Sequence, residues 1–486
     1  MTRASLRRAP FSILLLVVVS AAGCAADPIS PSHVTRLRIL GLRPEPAEPL
    51  PGDSLSLDLL WTDTPKSCTQ DTPCPTGQSC QSGACVRDDD TVQIVWLVSR
   101  LSAWQATDTT ATNGSFTDLL TSGVDVPGLG QCTFDQASCS LSCEGFGDLS
   151  LWDLCSMGCQ GLPGGDIAIC CGGPAASHFD VSVPTDIEVP QPTCGGDTSI
   201  DLSQILQVQA QVCVGGEINL CDLDVASLSF GCEGEGAETV NAISRVNIAD
   251  NADNANHGPS ILGPLWGRTE ARDVVHWTPD VDIVVEGCLD SDCATRACGQ
   301  QADCSRICEG GSCPTSGYFD ADSPARIDAP ADSMRGPTTC YNDRCREELS
   351  VALTEAAQET YLRACDEETA CAQDTDCASN FVCHEGTCRR IENPVTAFYT
   401  TDGLFNPGRV VLDTDGDGRP NDDRFRTHWI PPVLDECSSD ADCYLGECDD
   451  QTGRCTREIS FWVVSRDGRG GQDWIERTIR VVPPRL

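Results

Sequence analysis

Chemistry in this chain would have to begin with its oxygen donors. The segment DTDGDGRPNDDR sets Asp413, Asp415 and Asp417 at alternate positions, then Gly418, then Asn421, Asp422 and Asp423. Hard oxygen ligands at that spacing before a turn-forming glycine suit Ca²⁺, which takes about six to eight of them. A structural Ca²⁺ ion held by Asp413, Asp415, Asp417, Asn421 and Asp422 is one expectation, and a solvated acidic turn is the other. Arg409-Val410-Val411 ahead of the run looks extended, so an ion here would rigidify a loop rather than perform a reaction. A second Asp/Asn-rich run, DNADNANHGP (250–259), lies at the expected domain junction and reads more as an ordinary turn than as a metal site.

Motifs for catalysis are missing. There is no glycine-rich phosphate loop, no H-E-x-x-H, no G-x-S-x-G elbow and no flavin or nicotinamide fingerprint. The six histidines, His33, His178, His257, His276, His384 and His428, are scattered. His276 beside Trp277 reads as a packing residue, and His384 as a surface residue of a cysteine module. With 73 acidic residues, carboxylate pairs for glycoside hydrolysis cannot be recognised from spacing. A redox C-x-x-C is absent. The expectation is a chain with no catalytic residues.

Cysteines are the most informative residues, at 33. Cys68, Cys74, Cys80 and Cys85 follow the spacing C-x5-C-x5-C-x4-C, and Cys371, Cys377, Cys383 and Cys388 repeat it with a shared Q-D-T before the second Cys. Looser copies are Cys298, Cys304, Cys308 and Cys313, and Cys437, Cys443, Cys448 and Cys455. Modules this small cannot bury a core, so bridges must replace one by restricting the unfolded chain. Zinc is the competing account, but it wants Cys/His sets and a reducing compartment. Disulfides are the stronger reading, with three pairings open for each module. Cys139, Cys143, Cys155 and Cys159 form two C-x3-C pairs. Residues four apart share a helical face, so these could clip a small helical hairpin around Gly145–Gly147, or an irregular loop. The adjacent Cys170 and Cys171 are expected to take different partners.

The elements between these modules have period two, the mark of strands. In VTRLRILGL, Leu37 and Ile39 alternate with Arg36 and Arg38, and SLSLDLLW alternates Leu55, Leu57 and Leu59 with polar residues. VQIVWLVSR (92–100) reads as a strand buried on both faces. Near the end, ISFWVV and WIERTIRVV flank the glycine-rich SRDGRGGQD, a hairpin connection. Such strands suggest β-sandwiches. A formal net charge of −41, with Lys66 the only lysine, excludes nucleic acid as a partner.

The first residues, MTRASLRR, a short apolar run from Phe11 to Val19 and the small residues that follow are the parts of a secretory signal. Ala21-Ala22-Gly23-Cys24 resembles the lipobox of bacterial lipoproteins, with Ala21 where Leu is usual. The resemblance implies that Cys24 is lipidated, and Ala25 implies the outer membrane. Setting Cys24 aside leaves an even number of cysteines for bridges. The knuckles resemble the EGF-like or Dickkopf-like repeats of large cysteine-rich bacterial lipoproteins. VTRLRILGLRPEPAEPLPGDSLSLDLLW and FWVVSRDGRGGQDWIERTIRVV are similar to the opening strands and closing hairpin of their Ig-like domains. The Asp413 run resembles the start of an EF-hand or thrombospondin type 3 loop, although Arg424 stands where those loops carry an acid.

The expected architecture is therefore mainly β. It comprises a signal peptide at 1–23, a tether at 24–33 and two Ig-like β-sandwich domains, 34–248 and 249–486. Cysteine-rich insertions are placed at 65–90 and 126–195 in the first, and at 288–390 and 435–456 in the second. The expected function is a lipid-anchored outer-membrane scaffold or adhesion protein, facing periplasm or cell surface, without catalysis of its own. Its partners would be the membrane and an envelope protein or polysaccharide. The alternatives are an envelope hydrolase or accessory subunit of one, and a calcium-dependent assembly protein.

Overall fold

The computed structural model describes residues 32–65, 68, 73–74, 78–81, 84–87, 91–100, 124–126, 130–135, 140–143, 147–150, 152, 160–161, 167–185, 205–224, 229–249, 256, 258–266, 275–277, 279, 283–286, 296–297, 312–313, 319–320, 347–353, 360–361, 369–378, 381–392, 394–411, 424–444 and 446–483. Structural statements below concern these residues. The protein is mainly β, and no helix among them is long and apolar enough to cross a membrane.

The first sandwich is built from β1 (Arg38–Glu45), β2 (Ser54–Thr62), β3 (Val92–Arg100), β4 (Gln160–Gly161), β5 (Ile167–Gly172), β6 (His178–Ser182), β7 (Ile205–Val214) and β8 (Glu238–Asn247). One sheet has the order β1-β2-β6 and the other β4-β5-β3-β7-β8. Lettered along the chain, β1, β2 and β6 are A, B and E, and β5, β3, β7 and β8 are C′, C, F and G, an immunoglobulin-like arrangement. The two-residue alternation of β2 sends Leu55, Leu57 and Leu59 inward against Ile94, Trp96 and Val98 of β3 and Val208, Ala210 and Val212 of β7. Trp96, on strand C, is fully buried beside Phe179 and donates its indole N–H to the carbonyl of Ala176 at 2.6 Å.

The second sandwich comprises β9 (Ile261–Trp266), β10 (Val275–His276), β11 (Ile283–Glu286), β12 (Phe319–Asp320), β13 (Glu347–Leu353), β14 (Val395–Thr400), β15 (Leu404–Asn406), β16 (Arg409–Val411), β17 (Arg424–Ile430), β18 (Arg457–Arg466) and β19 (Gln472–Val482). Its sheets run β10-β9-β13-β17-β15 and β12-β11-β19-β18-β14-β16, with β11 parallel to β19. The core between them is aromatic. Trp266 meets Trp277 edge-on at 5.1 Å and Phe461 at 5.7 Å, and Trp429 meets Phe461 at 5.0 Å.

The two sandwiches stack face to face, which makes four sheet layers. A β-bulge between Ile39 and Gly41 turns Leu40 away from the first core while Ile39 and Leu42 face it. Leu40 and Leu60 then pack against Trp462 and Val464, the outward residues of β18, with Val34 between them. A side chain at Gly41 would crowd the Trp474 ring, since a Cβ would lie 3.1 Å from it. Polar bonds seal the joint: Arg43 bonds Asp58 at 3.0 Å and Asp473 at 2.8 Å, and its guanidinium lies 4.5 Å from the centre of the Trp474 ring.

Several expectations change. Stretches placed in insertions carry core strands: β5 and β6 lie within 126–195, and β13 lies within 288–390. The first arm of the expected helical hairpin is a strand. Ser140–Cys143 pairs with Gly147–Ser150, Leu141 opposite Leu149, and on its other side with Gly130–Asp135, Cys143 opposite Cys132. Ser and Cys are weak helix formers and Gly145 and Gly147 interrupt the sequence, so cross-strand pairing prevails. Ser32 and His33, placed in the expected tether, belong to the fold. Ser32 is buried, its carbonyl accepts the Thr400 N–H, and the Val34 N–H bonds the Thr400 carbonyl. His33 bonds the Thr401 carbonyl at 2.8 Å.

Candidate functional site

Three of the four C-x5-C-type modules fold the same way. In each, the third and fourth cysteines face one another across a short hairpin: Cys80 opposite Cys85, Cys383 opposite Cys388, and Cys448 opposite Cys455. Each bonds back to an earlier cysteine, first to third and second to fourth. The pairs are Cys68–Cys80 and Cys74–Cys85, Cys371–Cys383 and Cys377–Cys388, and Cys437–Cys448 and Cys443–Cys455. In each, three of the four sulfurs lie within 4.8 Å of one another, but as bridges they offer no thiolate to a metal. The second hairpin turns through Glu385 and Gly386, both at positive φ, which is why a glycine stands there.

The aspartates of these modules have a structural task that the sequence only hinted at. Asp376 accepts the N–H groups of Ala372 and Gln373 at 2.8 and 3.0 Å, and Asp442 accepts those of Ser438 and Ser439 at 2.8 and 2.9 Å. Asp374 and Asp440 reach across to the N–H of Cys383 and Cys448, each at 2.8 Å. Backbone N–H donation, from Ala372 to Asp376 and from Ser438 to Asp442, holds both carboxyls below the usual carboxylate range.

The modules gather at opposite ends of the stack. At one end, the Tyr444 hydroxyl of the 437–455 module donates to the carbonyl of Pro65, just before the 68–85 module. Burial pushes that hydroxyl's pKa up to about 12, so it remains a donor. Arg457 clamps Asp402 and Asp435, which ties this module to the Thr400–Asp402 corner where the chain enters at Ser32. At the other end, Tyr361 pairs through Arg390 with the 371–388 hairpin and stacks on Arg469. Arg469 bonds Glu48 of the first sandwich and, at 3.0 Å, Glu392 of the second. Burial raises the Glu48 carboxyl above its ordinary value, although Arg469 works against it. Asn256, fully buried, donates to Asp467 at 2.7 Å, and Asp467 accepts three N–H groups of its own turn, from Arg469, Gly470 and Gly471. Asn256, from the second Asp/Asn-rich run, thus has a structural role.

Cys24, the Asp413–Asp423 run, Cys139, Cys155, Cys159, Cys298, Cys304 and Cys308 lie outside the described residues. Cys313 sits on a short strand opposite Arg296. Cys170 and Cys171 are both disulfide-bonded, and consecutive strand residues point to opposite faces, so their partners differ. Cys213–Cys232 ties β7 to the strand Ser229–Glu233. His384 is exposed and Trp277 is buried.

One histidine stands out that sequence reasoning passed over. The Nδ1 of His178 lies 2.8 Å from Asp58, and its Nε2 lies 3.4 Å from Asp180. The hydrogen bond to Asp58 is the main cause of its raised pKa. A ring bonded to carboxylates on both nitrogens holds its proton, and that suits an ionic tie better than a base.

No protein-family model matches the chain, and no curated protein matches it.

Proposed function

We propose that this chain is a lipid-anchored extracytoplasmic scaffold or adhesion protein, held at the outer membrane through Cys24, that binds an envelope or surface partner and performs no reaction of its own. The observation that carries the reading is the placement of bridged modules at both ends of two stacked sandwiches. Loops held on a stiff sheet are where recognition usually sits. Structural disulfides persist in oxidising compartments, in keeping with export.

The anchor gives the molecule a direction. Residues 24 to 32 can span at most about 30 Å fully extended. The corner that receives Ser32 also carries the 68–85 and 437–455 modules, so with Cys24 anchored these lie nearest the membrane. The 371–388 module then points outward and is the one that meets the partner. Its ends are adjacent, since the Cys371 N–H bonds the Gly386 carbonyl and the Cys388 N–H bonds the Thr369 carbonyl, so a short Gly-Ser link can replace it without disturbing β14.

The test is cross-linking on intact cells followed by identification of captured proteins and glycans. A partner captured by the parent chain and lost on replacing 371–388 is the expected result. Failure to capture anything, together with resistance to added protease, contradicts the reading. Hydrolysis of envelope polysaccharide that disappears with one acidic pair would replace it with the hydrolase reading.

A further inference from the structure

We propose that Leu404, Ile430 and Val433 form an apolar patch that seats on the surface of a lipid bilayer, a second membrane contact beside the anchored terminus. The proposal rests on the reading that Cys24 is held at a membrane, and it adds which face of the protein meets the lipid.

The patch follows from strand alternation. Phe405 on β15 and Trp429 on β17 are buried in the second core. Their chain neighbours Leu404 and Ile430 lie opposite one another across the β15–β17 pair and therefore point away from that core. Leu404 is 38 % exposed and Ile430 is half-buried. The chain leaves β17 through Pro431 and Pro432, which cannot donate to a ladder. Val433, just beyond them, is 43 % exposed. One exposed leucine or valine is ordinary, whereas apolar side chains gathered at one corner mark a contact surface.

Position says what covers them. Ser32 and Val34 bond Thr400, and His33 bonds the Thr401 carbonyl. Leu404 is only three residues further along, at most about 11 Å from Thr401. Val433 is held at the same corner, because Asp435 shares Arg457 with Asp402. The chain from Cys24 to Ser32 reaches at most about 30 Å, so a bilayer that holds Cys24 lies within reach of the patch. An extended tether alone would leave the protein free to tumble above the membrane. A second, reversible contact at its root fixes the direction in which the 371–388 module points. The surrounding charge selects the lipid. The Asp435 and Glu436 side chains are 63 % and 81 % exposed, which favours zwitterionic headgroups over anionic ones.

The experiment uses the full mature chain, disulfides intact, with Cys24→Ser and an amino-terminal polyhistidine tag in place of the lipid. It is tethered to phosphatidylcholine vesicles that contain a little nickel-chelating lipid and a lipid with a photoactivatable acyl chain. After illumination, lipid label is expected in the peptides that hold Leu404 and Ile430 to Val433. Leu404→Ser with Val433→Ser, both at exposed positions, should lose that label and bind the vesicles about tenfold more weakly, the worth of covering roughly 55 Å² of apolar surface. Exchanging part of the phosphatidylcholine for phosphatidylglycerol should shrink the parent's advantage over this variant. Label that is absent or lies elsewhere, or equal vesicle binding by parent and variant, would overturn the proposal. The labelling needs no variant, so it decides even where the variant misfolds. Because the tag replaces the lipid, the outcome is separate from whether Cys24 is acylated, which intact mass reports.

Discussion

Replacing Arg469 with methionine removes the guanidinium shared by Glu48 and Glu392, whose side chains are 12 % and 1 % exposed, while the arginine itself is 13 % exposed. Both carboxylates then remain at the joint between the sandwiches without that cation. Removing one partner of a buried ion pair costs about 3–5 kcal/mol, and the loss of the stacking contact with Tyr361 adds to it. The effect depends on pH, with a sign that follows from burial. Glu48 already has a raised pKa in the folded state, caused first by desolvation, and loss of Arg469 raises it further. A carboxyl raised in the folded state contributes stability that is present below its unfolded pKa and lost as pH rises through the folded value. Arg469→Met should therefore cost little near pH 4.5 and its full amount near pH 7.5. The assay is equilibrium urea unfolding of the oxidised protein at both pH values, followed by tryptophan fluorescence. A triple variant, Arg469→Met with Glu48→Met and Glu392→Met, should return to within about 1–2 kcal/mol of the parent, because apolar replacement of a whole buried cluster is near neutral. A single variant within about 1 kcal/mol of the parent at pH 7.5, or a cost that is the same at both pH values, would refute the reasoning.

Further expectations separate the two cores and the modules. Trp96→Phe strips the Ala176 carbonyl of its donor, whereas Trp266→Phe removes an indole N–H that has no partner. Thermal unfolding should show Trp96→Phe as the more destabilising, by about 1–2 kcal/mol. The depressed carboxyls of Asp376 and Asp442 give their modules stability that is present above the unfolded pKa of 3.8 and lost as pH falls through the lower folded value. Hydrogen exchange at Gln373 and Ser439 should speed up below that range, and Asp376→Asn should remove the dependence at Gln373 alone. Cys371→Ser with Cys383→Ser should destabilise the 371–388 module locally by about 2–4 kcal/mol, seen as rapid proteolysis there with the melting of the sandwiches unchanged.

Much of this framework is visible in residue order. VQIVWLVSR announces a strand buried on both faces, and β3 is that strand. The closing hairpin is equally plain, because SRDGRGGQD joins two apolar runs and becomes the turn between β18 and β19. The identical cysteine spacings mark the modules, but the bond pattern comes from the hairpin that sets Cys383 opposite Cys388, a relation that spacing alone leaves open. What stays hidden is what distant residues do to one another. Asp58 and His178 are 120 residues apart, and His33 and Thr401 are 368 apart. Leu40, Leu60 and Trp462 carried a clue, since Phe461-Trp462-Val463-Val464 is apolar on both strand faces, and a sheet apolar on both faces must be covered twice. Strands β5, β6 and β13 escaped notice because dense cysteines on either side gave their neighbourhoods the look of loops. The C-x3-C pairs misled because spacing of four is compatible with a helix but does not require one.

The most direct test of the account is the intact mass of the protein extracted from membranes, before and after thiol alkylation under denaturing, non-reducing conditions. The expected result is a chain that begins at Cys24, carries acyl groups there and gains no mass from alkylation. An unacylated terminus, or a mass that rises as many cysteines alkylate, would contradict it.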